Sequence, residues 1–81
     1  MSEDVRKRVV LKEGESLVSK GSRTKGFMCE TDIYFYEVIN VNNEIVGTVE
    51  HSHHMAVKGF KVTQSLIQKD NTGNTIVDER W

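Results

Sequence analysis

The sequence of 81 residues contains no proline, a single cysteine and no long hydrophobic run. Without proline, no strand has to be interrupted by a residue that lacks an amide hydrogen. With Cys29 alone there is no internal disulfide, on which secreted domains of this size usually depend. No apolar segment approaches the roughly 20 residues of a transmembrane helix, and residues 1–6 lack the apolar core of a signal peptide. We therefore expect a cytoplasmic protein with no membrane partner.

The composition indicates one modest hydrophobic core. Apolar residues make up 37% of the chain, and the length suits a single domain spanning 1–81. A domain this short buries a limited share of its surface, so a deep catalytic cavity would remove core that it needs. The net charge is −1, although seven of the eleven basic residues fall within 1–25. These features favour a non-enzymatic domain.

β-Branched and aromatic residues cluster in short runs separated by Gly, Asn, Asp and Ser, a pattern typical of strands and turns. Residues 13–26 are predicted to form a long polar loop, with a short strand or one helical turn within it left open, and Ser52–Lys58 one or two helical turns. The sequence thus predicts a mostly β domain, a small antiparallel sheet of about five strands curled into an open barrel or sandwich, with at most one short helix. The five strands, two hairpins plus an N-terminal strand, are predicted at Val5–Lys12, Ile33–Val41, Ile45–His51, Phe60–Lys69 and Asn74–Trp81.

The register of the first hairpin depends on the length of the turn around Asn42-Asn43. A two-residue loop places Tyr34 opposite His51, whereas a three-residue loop places Phe35 opposite His51. The choice decides which face of the strand is buried, because side chains alternate along a strand. We favour the three-residue loop, since it gathers the most apolar residues on one face.

The second hairpin is predicted to turn at Asp70–Gly73. A four-residue loop pairs Leu66 with Val77. The same register places Gln64 and Glu79 on the apolar face, which is a weakness of the assignment.

The histidines form an H-S-H-H cluster, and His51 and His53 would lie on the same side of a strand. Neutral imidazole binds zinc, copper or nickel, and Cys29 or Asp32 would be needed to complete a set of four ligands with His54. No C-x-x-C or H-E-x-x-H motif accompanies the cluster. We interpret these histidines as polar residues at the end of a strand and predict no cofactor, with a metal-binding domain as an alternative function.

A second alternative is a small β-barrel that binds single-stranded nucleic acid. Such proteins combine basic side chains that follow the phosphates with aromatic rings that stack on bases. The candidate residues are Arg6, Arg8, Arg23, Lys25 and Tyr34.

Our main prediction is a binding module without catalytic residues that recognises a protein partner or a second copy of itself. Tyr34, Tyr36 and Trp81 are amphipathic aromatic residues of the kind enriched in interfaces. The contact is expected to use a sheet face or an exposed edge, such as the strand that ends at Trp81. Cys29 is interpreted as a small buried residue, because no activating neighbour is apparent.

Overall fold

The computed structural model describes residues 3–26, 31–55 and 62–81. These residues form one short helix followed by five strands, which confirms the predicted mostly β class. No helix among them is long and apolar enough to cross a membrane. The elements are α1 (Glu3–Arg8), β1 (Ser16–Lys25), β2 (Thr31–Ile39), β3 (Ile45–Met55), β4 (Val62–Asp70) and β5 (Thr75–Arg80).

The five strands form one antiparallel sheet in which their spatial order is their order along the chain. The two predicted hairpins, β2–β3 and β4–β5, are both confirmed. In this sheet β1 and β5 are the edges and do not pair with each other, so the sheet is not closed into a barrel. Side chains alternate between the two faces. We call the face against which α1 packs the helix side, and the opposite face the outer side.

The predicted N-terminal strand at Val5–Lys12 is wrong, because its first part is the helix α1. Val5 and Val9 are four residues apart, a spacing that suits one face of a helix as well as one face of a strand. The helical alternative buries Val5 completely and packs Val9 against the sheet.

The predicted loop over 13–26 is also wrong, because Ser16–Lys25 forms the edge strand β1. Its side chains are exposed apart from half-buried Leu17, so it lacks the apolar alternation that marks an inner strand. The register shifts between Ser19 and Gly21, where Gly21 has φ of 124°. A β-bulge of this kind suits glycine, which carries no Cβ to clash in that conformation.

The first hairpin adopts the register that we did not favour, with Tyr34 opposite His51. The side chain of Asn40 organises the turn, since its Oδ1 accepts hydrogen bonds from the amides of Asn42 (2.9 Å) and Glu44 (3.0 Å). The register shifts after Val38, which leaves one extra residue on β3. As a result the even-numbered residues from Tyr34 to Val38 lie on the helix side. The predicted helical turns at Ser52–Lys58 are wrong as far as Met55, which ends β3; the remainder lies outside the described residues.

The second hairpin pairs Leu66 with Glu79 rather than with Val77. The turn pairs Lys69 with Thr75, one position beyond the predicted register, and a shift beside Gln68 inserts one residue into β5, so the partners move by two positions in total. Gln64 and Glu79 do share the helix side with Leu66, as the sequence indicated. Both find polar partners there, since Gln64 bonds to His51 and Glu79 lies by Arg8.

The turn after β4 is built on the Asp70 carboxylate. Its Oδ1 accepts hydrogen bonds from the hydroxyl (2.6 Å) and the amide (2.9 Å) of Thr72 and from the amide of Asn74 (3.0 Å). The Thr72 hydroxyl, followed by the Asn74 amide, lowers the pKa of Asp70 below its ordinary value. The folded chain therefore prefers the charged carboxylate.

We expect this turn to make stability depend on pH below about pH 4. A lowered pKa contributes stability above the unfolded pKa of about 3.9, and that contribution is lost as pH falls through the folded value. Asp70→Asn should therefore show a smaller loss of stability than the wild type between pH 4 and pH 2, measured by urea unfolding. Asp78→Asn, which leaves the turn intact, is the matched control. An unchanged pH profile in Asp70→Asn would contradict the assignment.

The core lies between α1 and the centre of the sheet. Val5, Val38, Val49 and Leu66 are at most 2% exposed and form one cluster. Complete burial of each such side chain contributes about 2 kcal/mol. The cluster fixes the helix on the sheet.

Gln68 lies at the edge of this core and holds the chain that leaves α1. It is 2% exposed. Its Oε1 accepts a hydrogen bond from the Val10 amide (2.8 Å), and its Nε2 donates one to the Val10 carbonyl (2.7 Å). The Gln68 side chain thus exchanges two hydrogen bonds with the Val10 backbone, as a neighbouring β-strand would. These bonds hold residues 10–15 over the end of the sheet.

Candidate functional site

Three rings stand side by side on the helix side of the sheet. The ring centroids of Tyr34 and His51 are 5.7 Å apart, and those of His51 and Trp81 are 5.8 Å apart. The planes of the second pair differ by 4° only. The stack follows from the register, because Tyr34 faces His51 across β2–β3 and Trp81 pairs with Gln64 through two backbone hydrogen bonds. Two predicted binding residues, Tyr34 and Trp81, therefore belong to one structure.

Arg8 completes the stack from the last turn of α1. Its Cζ lies 3.8 Å from the centre of a Trp81 ring, and its Nε is 3.6 Å from Oε2 of Glu79. A guanidinium over an indole contributes about 0.5–1 kcal/mol at exposed sites. Arg8, a candidate binding residue of the sequence analysis, thus contacts Trp81 from a helix.

His51 is the fixed centre of the stack. It is 6% exposed, and its Nε2 donates to Oε1 of Gln64 over 2.9 Å, so that nitrogen carries the hydrogen. A histidine held in this way by two rings and an amide is a packing residue. Gln64, whose place on the apolar face was a weakness of the sequence assignment, accepts the hydrogen bond of the His51 ring. The imidazole is therefore buried with a polar partner.

The other two histidines lie on different faces. His53 is half-buried on the helix side, opposite Asp32, and His54 lies on the outer side, where its Nδ1 is 2.6 Å from Oγ1 of Thr31. The predicted common side for His51 and His53 is confirmed. Within residues 3–26, 31–55 and 62–81 no group of three or more His, Cys, Asp or Glu is placed to hold a metal ion. Cys29 lies outside these ranges.

Much of the helix side beyond the stack is left uncovered by the described elements. α1 has six residues and is about 9 Å long, whereas β3 has eleven and spans about 36 Å. The uncovered part carries Tyr34, which is 37% exposed, and Met55 and Val62, each 41% exposed. We call the aromatic surface the patch formed by Tyr34, His53, Met55, Val62 and Trp81.

Sequence reasoning missed Met55 and Val62. Met55 falls within the predicted helical turns Ser52–Lys58, and Val62 falls within the predicted strand Phe60–Lys69. Their common face becomes visible only when the pairing of Met55 with Val62 at the ends of β3 and β4 is known. The alternation of side chains then places both on the helix side.

Tyr36 was predicted as a binding residue, and the structure places it against the core. It is half-buried on the helix side, opposite Val49. Burial raises the pKa of the Tyr36 phenol, and the neighbouring Tyr34 raises it further. Tyr36 therefore belongs to the margin of the core and not to the exposed patch.

The basic residues divide between different parts of the surface. Arg23 lies opposite Ile33 and Lys25 opposite Thr31, both on the outer side. Arg6 is exposed on α1, beside a depression lined by Leu11 and other residues. Nucleic-acid binding needs cations beside exposed rings. Of the candidate cations in the described residues, Arg8 lies beside the rings, whereas Arg23 and Lys25 lie on the opposite face, so the basic residues are not gathered at the aromatic surface.

A cleft of about 360 Å³ lies at the other end of the helix side, between residues 10–15 and the sheet. Its acidic groups are already engaged, because Glu15 Oε1 accepts from the Lys12 amide (2.8 Å) and Asp70 holds its turn. Its most buried polar side chain, Gln68, is bonded to Val10. The described groups here form turns, and they offer no pair of nucleophile and base.

Comparisons with known proteins add no relative. No protein-family model matches the chain, and no curated protein or solved structure resembles it significantly.

Proposed function

We propose that this chain is a small non-enzymatic binding module that docks onto a protein through the aromatic surface. The observation that carries the proposal is the fixed stack of Tyr34, His51 and Trp81 beside exposed Met55 and Val62. Aromatic residues, Met and Arg are enriched in interfaces, and charged residues are depleted at their centres. The aromatic surface has this composition, with Arg8 at its border.

The stack also lowers the cost of binding. A side chain that becomes immobile on association loses about 0.5–1.5 kcal/mol of conformational freedom. Trp81 is already held between Arg8 and His51, and Tyr34 leans on His51. Rings that are fixed before binding lose little more, so they suit the anchor of an interface.

The described polar groups support binding over catalysis. Thr31 and His54 are within hydrogen-bonding distance, yet among the described residues no carboxylate is bonded to the other nitrogen of His54. A nucleophile and base act together with a third group that orients the base. As part of the proposal we assign the module to the cytoplasm, where a domain with a single cysteine needs no disulfide.

The test compares two double variants in co-purification from source cells, quantified by mass spectrometry. Tyr34→Ser with Met55→Ser removes exposed apolar groups from the aromatic surface. Val41→Ser with Ile45→Ser is the matched control, because these side chains are 73% and 53% exposed at the other end of the sheet. We expect at least one protein to be retained by the wild type and the control and to fall at least tenfold with the surface variant.

Thermal unfolding of both double variants verifies that they remain folded. Retention of the same proteins by the surface variant would overturn the proposal. It would also be overturned if the wild type retained no protein and formed no oligomer.

A further inference from the structure

We infer that the occupant of the aromatic surface is a second copy of this chain, packed face to face about a two-fold axis. The inference rests on the proposed function and names its partner. Three observations support it: the amount of surface, the balance of charge, and the character of the sheet edges.

The chain exposes more surface than its mass requires. Its accessible surface is 5747 Å². A monomeric protein of 9.3 kDa exposes about 5,000 Å², so the excess is roughly 750 Å². A standard interface buries about 800 Å² on each partner. The radius of gyration of 13.6 Å likewise exceeds the value of about 12 Å for a compact domain of this length.

The charges of the aromatic surface allow it to face itself. A two-fold axis sets each patch against an identical patch, so any net charge on it repels its own copy. None of the five residues of the aromatic surface is Asp, Glu, Lys or Arg. At its border Arg8 lies by Glu79, so these two charges balance, and Asp32 adds one negative charge opposite His53. The patch itself therefore sets no carboxylate, ammonium or guanidinium group against its own copy.

The two edges of the sheet are poorly suited to the same role. β1 contains no acidic residue, and although Lys20 pairs with Glu37 of β2 (3.5 Å), the charges of Arg23 and Lys25 would repel those of a second copy of this edge. β5 is short, with charged residues at 78–80 and a register shift near its start. Bulges and charges are the usual devices that prevent edge pairing. The sequence alone leaves pairing through the edge strand β5 open. The charges and the register shift of the edges favour association through the aromatic surface instead.

The test is sedimentation equilibrium of the full chain from about 5 μM to 1 mM, at neutral pH and 150 mM salt. The mean mass should rise from 9.3 kDa towards twice that value in one monomer–dimer equilibrium. Tyr34→Ser with Met55→Ser should raise the dimer Kd more than tenfold, as expected for central interface residues. Val41→Ser with Ile45→Ser should leave the Kd within about twofold.

A mass of 9.3 kDa at every concentration overturns the inference. An equal rise of the dimer Kd in both double variants overturns it as well. The two proposals fail in different ways. If the chain is monomeric and the surface variant still loses a different co-purifying protein, the second copy is wrong and the binding surface stands. If the chain is monomeric and the surface variant retains the same co-purifying proteins as the wild type, the second copy and the binding surface are both wrong.

Discussion

Replacement of Leu66 by alanine is expected to lower the free energy of unfolding by about 3 kcal/mol. Leu66 is fully buried at the centre of the core, where it meets Val5, Val38 and Val49. Truncation removes apolar contact from both α1 and the sheet and leaves a cavity between them. Because domains are stable by only about 5–15 kcal/mol, this loss is a large share for a chain of this size.

Urea unfolding monitored by the fluorescence of the single tryptophan measures this loss. Ile76→Ala is the control, because Ile76 is an aliphatic residue that is 49% exposed on β5, and its cost should stay below about 1 kcal/mol. Equal losses in the two variants would mean that the core does not lie between α1 and the sheet.

The second large effect is expected for Gln68→Glu, which should lower the free energy of unfolding by about 3 kcal/mol at neutral pH. One oxygen of a glutamate still accepts from the Val10 amide, but the other replaces the amide group that donates to the Val10 carbonyl. Two acceptors then face each other in a site that is 2% exposed. A buried carboxylate oxygen that receives no hydrogen bond destabilises the folded state. The site therefore favours the protonated, neutral form of the carboxyl group.

The variant should therefore be more stable at pH 4 than at pH 7, relative to the wild type. Its protonated carboxyl supplies a donor for the Val10 carbonyl, and this pairing is lost as pH rises and the group ionises. Thr75→Glu adds the same charge at an exposed position of β5 and serves as the control. A Gln68→Glu variant with unchanged stability at pH 7 would show that residues 10–15 are not anchored through Gln68.

Sequence patterns located most of the sheet. β2, β3, β4 and β5 lie close to the predicted segments because inner strands show apolar alternation and the Asn and Asp turns between them are distinctive. α1 was missed because valines spaced by four fit either a helix or a strand. β1 was missed because an edge strand exposed on both faces has no apolar pattern to detect.

The registers were beyond sequence reasoning because each hairpin contains a shift beside its turn. One inserted residue moves every partner and changes which side chains meet. Tyr34, Trp81 and Arg8 were named from their residue types alone. Their assembly into one stack required the pairing of Tyr34 with His51, which depends on the Asn40 turn.

The same registers explain how polar residues are accommodated on the buried face. Gln64 bonds to His51, Glu79 lies by Arg8 and Gln68 bonds to Val10. Each polar group thereby positions a part of the chain that the apolar core alone would leave free. The aromatic surface is a consequence of this arrangement, because it fixes the stack while leaving Tyr34 37% exposed beside Met55 and Val62.

The most direct test of the aromatic surface follows the indole N–H signal of Trp81, the single tryptophan, in a concentration series by NMR. The indole signal and the amides of Tyr34 and Met55 are expected to shift together along one saturable curve. The amides of Lys25 and Val41, which lie elsewhere on the sheet and its turns, should stay in place. Signals that do not depend on concentration, or shifts that are largest at Lys25, would contradict the assignment of this face as the site of self-association.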